Sequence, residues 1–314
     1  MVSTFELVMS VLAVLLLAGI VLLIVPPTSV RLGLRSFERR TGASPAAVLV
    51  AIAVGLAVVA VGIAGVNAGG GEFTVVDAFP VVLGGIGPLM VAVGLAARAT
   101  NDRLTAAAAA DAGDPETGAV AVDGSLRERD DTFPVPDLEG GALACAYALQ
   151  KDRGFAHRSP VWVTVAEGER TRPLAVEDDS GSVRVDEDAA TVRRSQLSTR
   201  SYSIELPEGE PTPDEVASFL TDSGVESPGE PAVDHRLRLG PLTPGNTVTA
   251  VGEYERVTEP GEAFWGLSGD DVLLFPGDRD TVRDRLVRRH KWLTGGGAAM
   301  TLLGVGYAAV SFLP

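Results

Sequence analysis

Asp278-Arg279-Asp280-Thr281-Val282-Arg283-Asp284-Arg285-Leu286-Val287-Arg288-Arg289-His290-Lys291-Trp292, followed by the apolar run Leu293 to Leu313, sets the expected architecture. The first half has the signs of a short charged helix. Asp278 is placed to cap it, Asp284 precedes Arg288 by one helical turn, and Val282 and Leu286 share a face. The second half carries no formal charge over about 20 residues, enough to cross a hydrocarbon core of ~30 Å. Arg283, Arg285, Arg288, Arg289 and Lys291 at the junction belong on the cytoplasmic side, and Trp292 suits the membrane interface. The stretch is therefore expected to be an exit helix leading into a final span. Nothing in it suggests catalysis.

Three further apolar runs lie upstream. Leu7 to Val25 is stopped by Pro26 and Pro27 and preceded by Glu6 rather than by basic residues, so it is expected to be a retained anchor. The loop after it holds Arg31, Arg35, Arg39 and Arg40 and is expected inside. The second run spans about 45–66 and the third about 79–97, with Pro88 set to loosen the latter. Between them, Glu72 and Asp77 stand without a cation, as expected of an outside loop; Arg98 and Arg103 close the third run on the inside. The sequence thus predicts four spans in a cell membrane, both termini outside, with the large domain in the cytoplasm. Ala51 and Gly55, four apart, suit close helix packing. The hydrophobic cores hold no acid or base, which argues against a transporter.

Positive mean hydropathy coexists with a net charge of −15, so apolar and acidic residues must be segregated. An acidic surface excludes the positive footprint of a nucleic-acid binder. Lysine occurs only at Lys151 and Lys291. Much acid with little lysine is the composition of proteins adapted to high salt, where negative surface maintains solubility. Cys145 is the single cysteine, which rules out an internal disulfide or a multi-cysteine zinc site. His157, His235 and His290 lack ligand spacing.

Residues 104–140, acidic and rich in Gly and Pro, are expected to form a linker. A β-rich domain occupies 141–277. Leu143, Cys145, Tyr147 and Leu149 alternate with alanines, a strand signal that places Cys145 in a core. Val161, Val163 and Val165 mark a second strand. Asp178, Asp179, Ser180 and Gly181 form a turn between short strands. Thr212, Pro213 and Glu215 predict a capped helix with Val216, Phe219 and Leu220 inward and Gly224 at its end. Gly252 and Glu253 interrupt a strand over 247–257, as a bulge would. Ser268, Gly269 and Asp270 are expected to turn a hairpin. The fold class predicted is α+β: a four-span helical membrane part plus a mostly β soluble domain, a small barrel or sandwich, with one packed helix and the exit helix.

The chain lacks the phosphate-cradling Gly-x-x-x-x-Gly-Lys-Ser/Thr, a dinucleotide Gly-x-Gly-x-x-Gly after a strand, His-Glu-x-x-His and the Gly-x-Ser-x-Gly elbow. Asp178, Asp179, Asp186, Glu187 and Asp188 read as a solvated face. The sequence therefore names no catalytic, metal or cofactor residue. The basic helix is suited to anionic headgroups, at ~1 kcal/mol per cation near the surface.

One resemblance emerges from the order of these pieces. A strand with Cys145 and Tyr147 is followed by Trp162, then by Pro173-Leu174-Ala175-Val176-Glu177-Asp178-Asp179-Ser180-Gly181 running into Val183 and Val185. Next come Thr247-Val248-Thr249-Ala250-Val251-Gly252-Glu253, Val272-Leu273-Leu274, the charged helix and Trp292. Over roughly 140–313 this resembles the GIDE, or beside-a-membrane, domain of membrane-bound ubiquitin ligases in mitochondria and plastids. The resemblance implies a β-rich module against the bilayer that binds other proteins, with Tyr147, Trp162, Asp179, Gly181, Gly252 and Glu253 as motif positions. In that family a zinc-holding RING follows the last span. It needs eight ligands, which one cysteine and three histidines do not supply. A membrane-anchored scaffold without its own chemistry is the expected function, and a component of a ubiquitin-like ligase system is the alternative. The expected partners are the lipid bilayer and other proteins.

Overall fold

The computed structural model describes residues 37–38, 41–68, 75–152, 162–186, 190–192, 201–259 and 262–311. These divide into two compact units: Met1–Asp102 with Asp284–Pro314, and Arg103–Arg283.

The first unit is helical. Among the described residues its long helices are α1 (Pro45–Ala68), α2 (Val75–Ala106) and α4 (Arg279–Ser311), of which α2 and α4 also contribute residues to the second unit. Small residues let these helices touch backbone to backbone. A Cβ built on Gly55 of α1 would stand 2.2 Å from the Gly85 carbonyl of α2. One on Gly84 would stand 2.8 Å from the Gly304 Cα of α4, and one on Gly87 would stand 2.5 Å from the Gly297 carbonyl. Ala51, one turn before Gly55, is buried. Such close approach replaces side-chain packing with van der Waals contact between backbones.

The expected four-span part is not supported. Among the described residues two helices are long and apolar enough to cross a membrane, Pro45–Ala64 and Phe79–Ala106. The run 7–25 lies outside the described residues. The final run is the second half of α4, one helix with the charged stretch. Thr294, Gly295, Gly296, Gly297, Thr301, Gly304 and Gly306 dilute its apolar character. Some of these residues serve helix contacts, as Gly297 and Gly304 do. Asp278 caps α4 as the sequence predicts: its carboxylate accepts from the Thr281 amide at 2.9 Å and hydroxyl at 2.8 Å.

The second unit is built on strands β1 (Ala108–Ala110), β2 (Gly118–Glu128), β3 (Phe133–Val135), β4 (Leu138–Ala142), β5 (Ala144–Asp152), β6 (Trp162–Thr171), β7 (Leu174–Asp178), β8 (Gly181–Val185), β9 (Ala190–Val192), β10 (Tyr202–Leu206), β11 (His235–Leu242), β12 (Thr247–Glu259) and β13 (Glu262–Pro276), with helix α3 (Asp214–Asp222). Five strands close on themselves in the order β2-β12-β13-β8-β7, because β7 also pairs β2. Neighbours in this ring are antiparallel except β13 and β8. With the ring strands ranked by chain order, the path is first-fourth-fifth-third-second, a five-stranded Greek-key barrel of the OB type. Val120, Val122, Leu126, Val176, Val183, Val248, Leu267 and Leu274 fill it. A four-stranded sheet, β10-β11-β5-β6, lies beside the barrel and carries α3.

Three expectations inside this unit are corrected. Residues 104–140 are not a linker: α2 runs to Ala106, β2 is a barrel stave, and β3 and β4 form a hairpin. Ser268 to Asp270 do not turn a hairpin. They lie within β13, where the register against β12 jumps from Val251–Leu273 to Glu253–Ser268. The two strands stay paired as far as Glu259–Glu262, so their hairpin closes there instead. Thr212 does not cap α3; its hydroxyl donates to the Gly229 carbonyl at 2.7 Å, and Pro213 occupies the cap position without a side-chain bond.

The barrel role of β2 has a measurable consequence. Leu126 is fully buried, so Leu126→Ala should cost ~2–5 kcal/mol in denaturant unfolding of the folded chain. An unchanged midpoint would return this segment to the status of a tether.

Candidate functional site

The motif positions are distributed through the second unit rather than gathered. Tyr147 is buried on the face of β5 that meets α3. Its ring sits edge-on to Phe219 at 5.6 Å, and its hydroxyl donates to the Ser223 carbonyl at 3.1 Å, closing the helix C-terminus. Gly168 on β6 makes room for that hydroxyl; a Cβ there would stand 2.5 Å from it. Trp162 opens β6 opposite Asp152 at the far end of β5. The Arg236 guanidinium lies 4.2 Å above its ring and donates to Gln150 Oε1 at 2.7 Å, and Gln150 Nε2 donates to Thr164 Oγ1 at 3.1 Å.

At the β7–β8 turn the working carboxylate is Asp178, not Asp179. Asp178 accepts from the Ser180 hydroxyl at 2.5 Å, the Ser180 amide at 2.8 Å, the Gly181 amide at 3.2 Å and the Ala112 amide at 2.8 Å. Asp179 is exposed. Gly181 adopts φ 155°, and a Cβ on it would stand 2.7 Å from the Gly113 Cα, so the turn is pressed against the loop before β2. Gly252 is buried at the register jump, where a Cβ would stand 3.1 Å from a Val272 methyl; Glu253 is exposed. These positions hold the barrel and the adjoining sheet in shape. They do not form one site.

On α4, Arg283, Arg288 and Lys291 are exposed, Trp292 is 75 % exposed, and Arg285 and Arg289 are half-buried. Arg288, Lys291 and Trp292 follow at three- and four-residue spacing and share one face. His290 turns inward among the helices, its Nδ1 3.0 Å from the Gly94 carbonyl and 3.1 Å from Thr294 Oγ1.

One groove in the second unit has the shape of a binding site, and one of its walls lies where the sequence led us to expect a linker. The β3–β4 hairpin and α3 enclose a groove of about 780 Å³. The half-buried Leu138 and the exposed Pro134 line it, over the buried Val135 and Phe219. Asp137, Glu139, Asp214, Glu215 and Asp222 stand on its rim. Asp137 turns the hairpin with φ 58°, a conformation that Asp and Asn tolerate better than most residues. The Tyr202 hydroxyl donates to the Pro136 carbonyl at 2.5 Å and fixes the hairpin to β10. Burial, and after it the charges of Cys145 and Asp137, pushes that phenol up to about 12. Arg170 braces the opposite edge, 4.6 Å above the Phe133 ring and 3.3 Å from Asp222. The signal available in the sequence was Pro136-Asp137 between Val135 and Leu138, a turn pair flanked by apolar residues. Among the described residues no group of three or more His, Cys, Asp or Glu is arranged to hold a metal ion.

The Asp178 turn makes stability depend on acid. The Ser180 hydroxyl first, then the Ala112 amide and the turn amides, hold its carboxyl below the ordinary 3.8, against a smaller opposing effect of burial. A carboxyl lowered on folding stabilises above its unfolded value, and the contribution fades as pH falls through the folded value. Asp178→Asn should therefore be less stable than wild type at neutral pH, with the gap closing below pH ~4 in parallel denaturant titrations. No family model matches the chain, and no curated protein or solved structure matches it.

Proposed function

We propose that this chain is a membrane-anchored protein-binding module, with α1 and α2 in the bilayer and the β unit on the cytoplasmic side. Each candidate span is only one-third buried in its apolar window. A core helix of a water-soluble protein would be mostly covered. Leu49, Val50, Ile52, Val54, Phe79, Val82, Ile86 and Leu95 project large apolar surfaces from these helices, which in water would be an aggregation liability and in lipid is matched. Arg98 and Arg103 near the end of α2 favour the inner side for the β unit that begins there.

The groove between the β3–β4 hairpin and α3 carries the binding half of the reading. It joins an apolar floor to a polar rim, the composition of a recognition cleft. The reading agrees with the role that the GIDE resemblance implies, a β-rich body that gathers other proteins at a membrane.

Two measurements test it. With Ser218→Cys in Cys145→Ala background, a membrane-impermeant maleimide should label the groove only after cells are permeabilised; labelling of intact cells would invert the orientation. A photo-crosslinking residue at Ser218 of the full chain in its membrane should give discrete protein adducts absent from the same probe at Asp179. Identical patterns at the two positions would remove the groove as a binding site.

A further inference from the structure

We infer that the groove takes a basic peptide segment, in which arginine or lysine side chains flank an apolar anchor. This rests on the reading of the β unit as a protein-binding module and specifies the chemistry of its partner. The lining contains five carboxylates, those of Asp137, Glu139, Asp214, Glu215 and Asp222, and no cation. Asp222 is taken by Arg170. The other four are exposed and make no ion pair among the described residues.

Acid alone would say little in a chain of net charge −15. What distinguishes this place is its arrangement. Two carboxylates project from the hairpin, Asp137 and Glu139, and two from the first turn of α3, Asp214 and Glu215. Leu138, half-buried, is the accessible apolar side chain between them, with the buried Phe219 beneath. A partner that seats an apolar side chain on that floor brings its neighbouring residues against both rims. Cations satisfy both rims at once, whereas an acidic partner meets repulsion on each side. Arginine suits such a rim because its planar fork meets a carboxylate with two hydrogen bonds. The apolar anchor supplies affinity when salt screens the rim charges, since screening shortens the range of exposed pairs to a few ångströms at high ionic strength.

The test uses the full chain in nanodiscs and three labelled ten-residue peptides with the same leucine anchors. One has arginine at the flanking positions, one glutamate and one serine. The arginine peptide should bind at least tenfold tighter than the serine peptide, and the glutamate peptide should not bind measurably. The quadruple variant Asp137→Asn, Glu139→Gln, Asp214→Asn and Glu215→Gln should weaken the arginine peptide by about threefold for each carboxylate removed. Its thermal unfolding should stay close to wild type, since all four side chains are exposed and neutralising Asp214 and Glu215 in the first turn of α3 removes only a small helix-dipole contribution. Equal binding of the arginine peptide by wild type and quadruple variant would overturn the inference, as would equal binding of the glutamate peptide. Adducts from the Ser218 probe that map to a neutral or acidic segment would also overturn it while leaving the protein-binding reading intact. Absence of both peptide binding and specific adducts would remove both.

Discussion

Strand β5 is buried on both faces, and the second unit depends on that. Ala144 and Ala146 point into the barrel core, beside Val120, Val176 and Leu242. Cys145, Tyr147 and Leu149 point the other way, into the cluster that holds α3. One strand therefore joins two cores, and its alternation of small and large residues sets the spacing of each. Alanine on the barrel side leaves room for the staves to approach; bulk on the other side fills the space beneath a helix. A one-residue slip would exchange the two sets and mispack both cores. The pairing of β5 with β11 from Ala144–Leu242 to Lys151–His235 fixes that register along the whole strand.

Part of this was legible in the chain. The period of two over 145–149 showed one bulky face, and placed Cys145 in a core; Leu143, expected on that face, precedes β5 and packs in the barrel core instead. It did not show that the alanine face was equally buried, because alanine gives the same weak signal in water and in a tight contact. The β2 stave was missed for a related reason. Gly118, Ala119, Ala121, Asp123 and Gly124 alternate with only a few larger residues, so the strand looks like the acidic tether around it. Its burial arises from partners far along the chain in β12 and β7, through pairings such as Val122–Ala250 and Leu126–Val176. The Asp178 turn was readable, yet one residue off. Adjacent aspartates are equivalent in composition, and what separates them is position: Asp178 alone reaches the Ser180 hydroxyl, the turn amides and the Ala112 amide. Thr212 had the right type for a cap, but a tertiary bond to Gly229 competes for its hydroxyl.

The helical unit shows how packing can hide a hydropathy signal and reveal a small-residue one. Gly84, Gly85 and Gly87 break up the apolar density of α2, and Gly295, Gly296, Gly297 and Gly304 that of α4. Several of these same residues form the close contacts of α2 with α1 and α4. Counting four apolar runs treated each helix as an isolated rod in lipid. Once small residues serve helix contacts, apolarity per residue stops measuring how a helix meets its surroundings. The spacing of Ala51 and Gly55 was the better guide, since it concerns contact geometry.

The groove is a consequence of the same two-core design. Its hairpin wall is seated by Phe133 and Val135, and its helical wall by Val216, Phe219 and Leu220, all in the cluster on the bulky side of β5. Tyr202 ties the hairpin turn to β10, and Arg170 links Phe133 to the end of α3 through Asp222. Neither wall can shift without disturbing a packed core, so the cleft is a fixed part of the fold. A preformed cleft avoids most of the ordering cost of association, and modest contacts then suffice for useful affinity. Exposed carboxylates on a rigid frame also keep their spacing while salt varies. For a chain this acidic, that fixed spacing, rather than the amount of charge, is what distinguishes one surface from the rest.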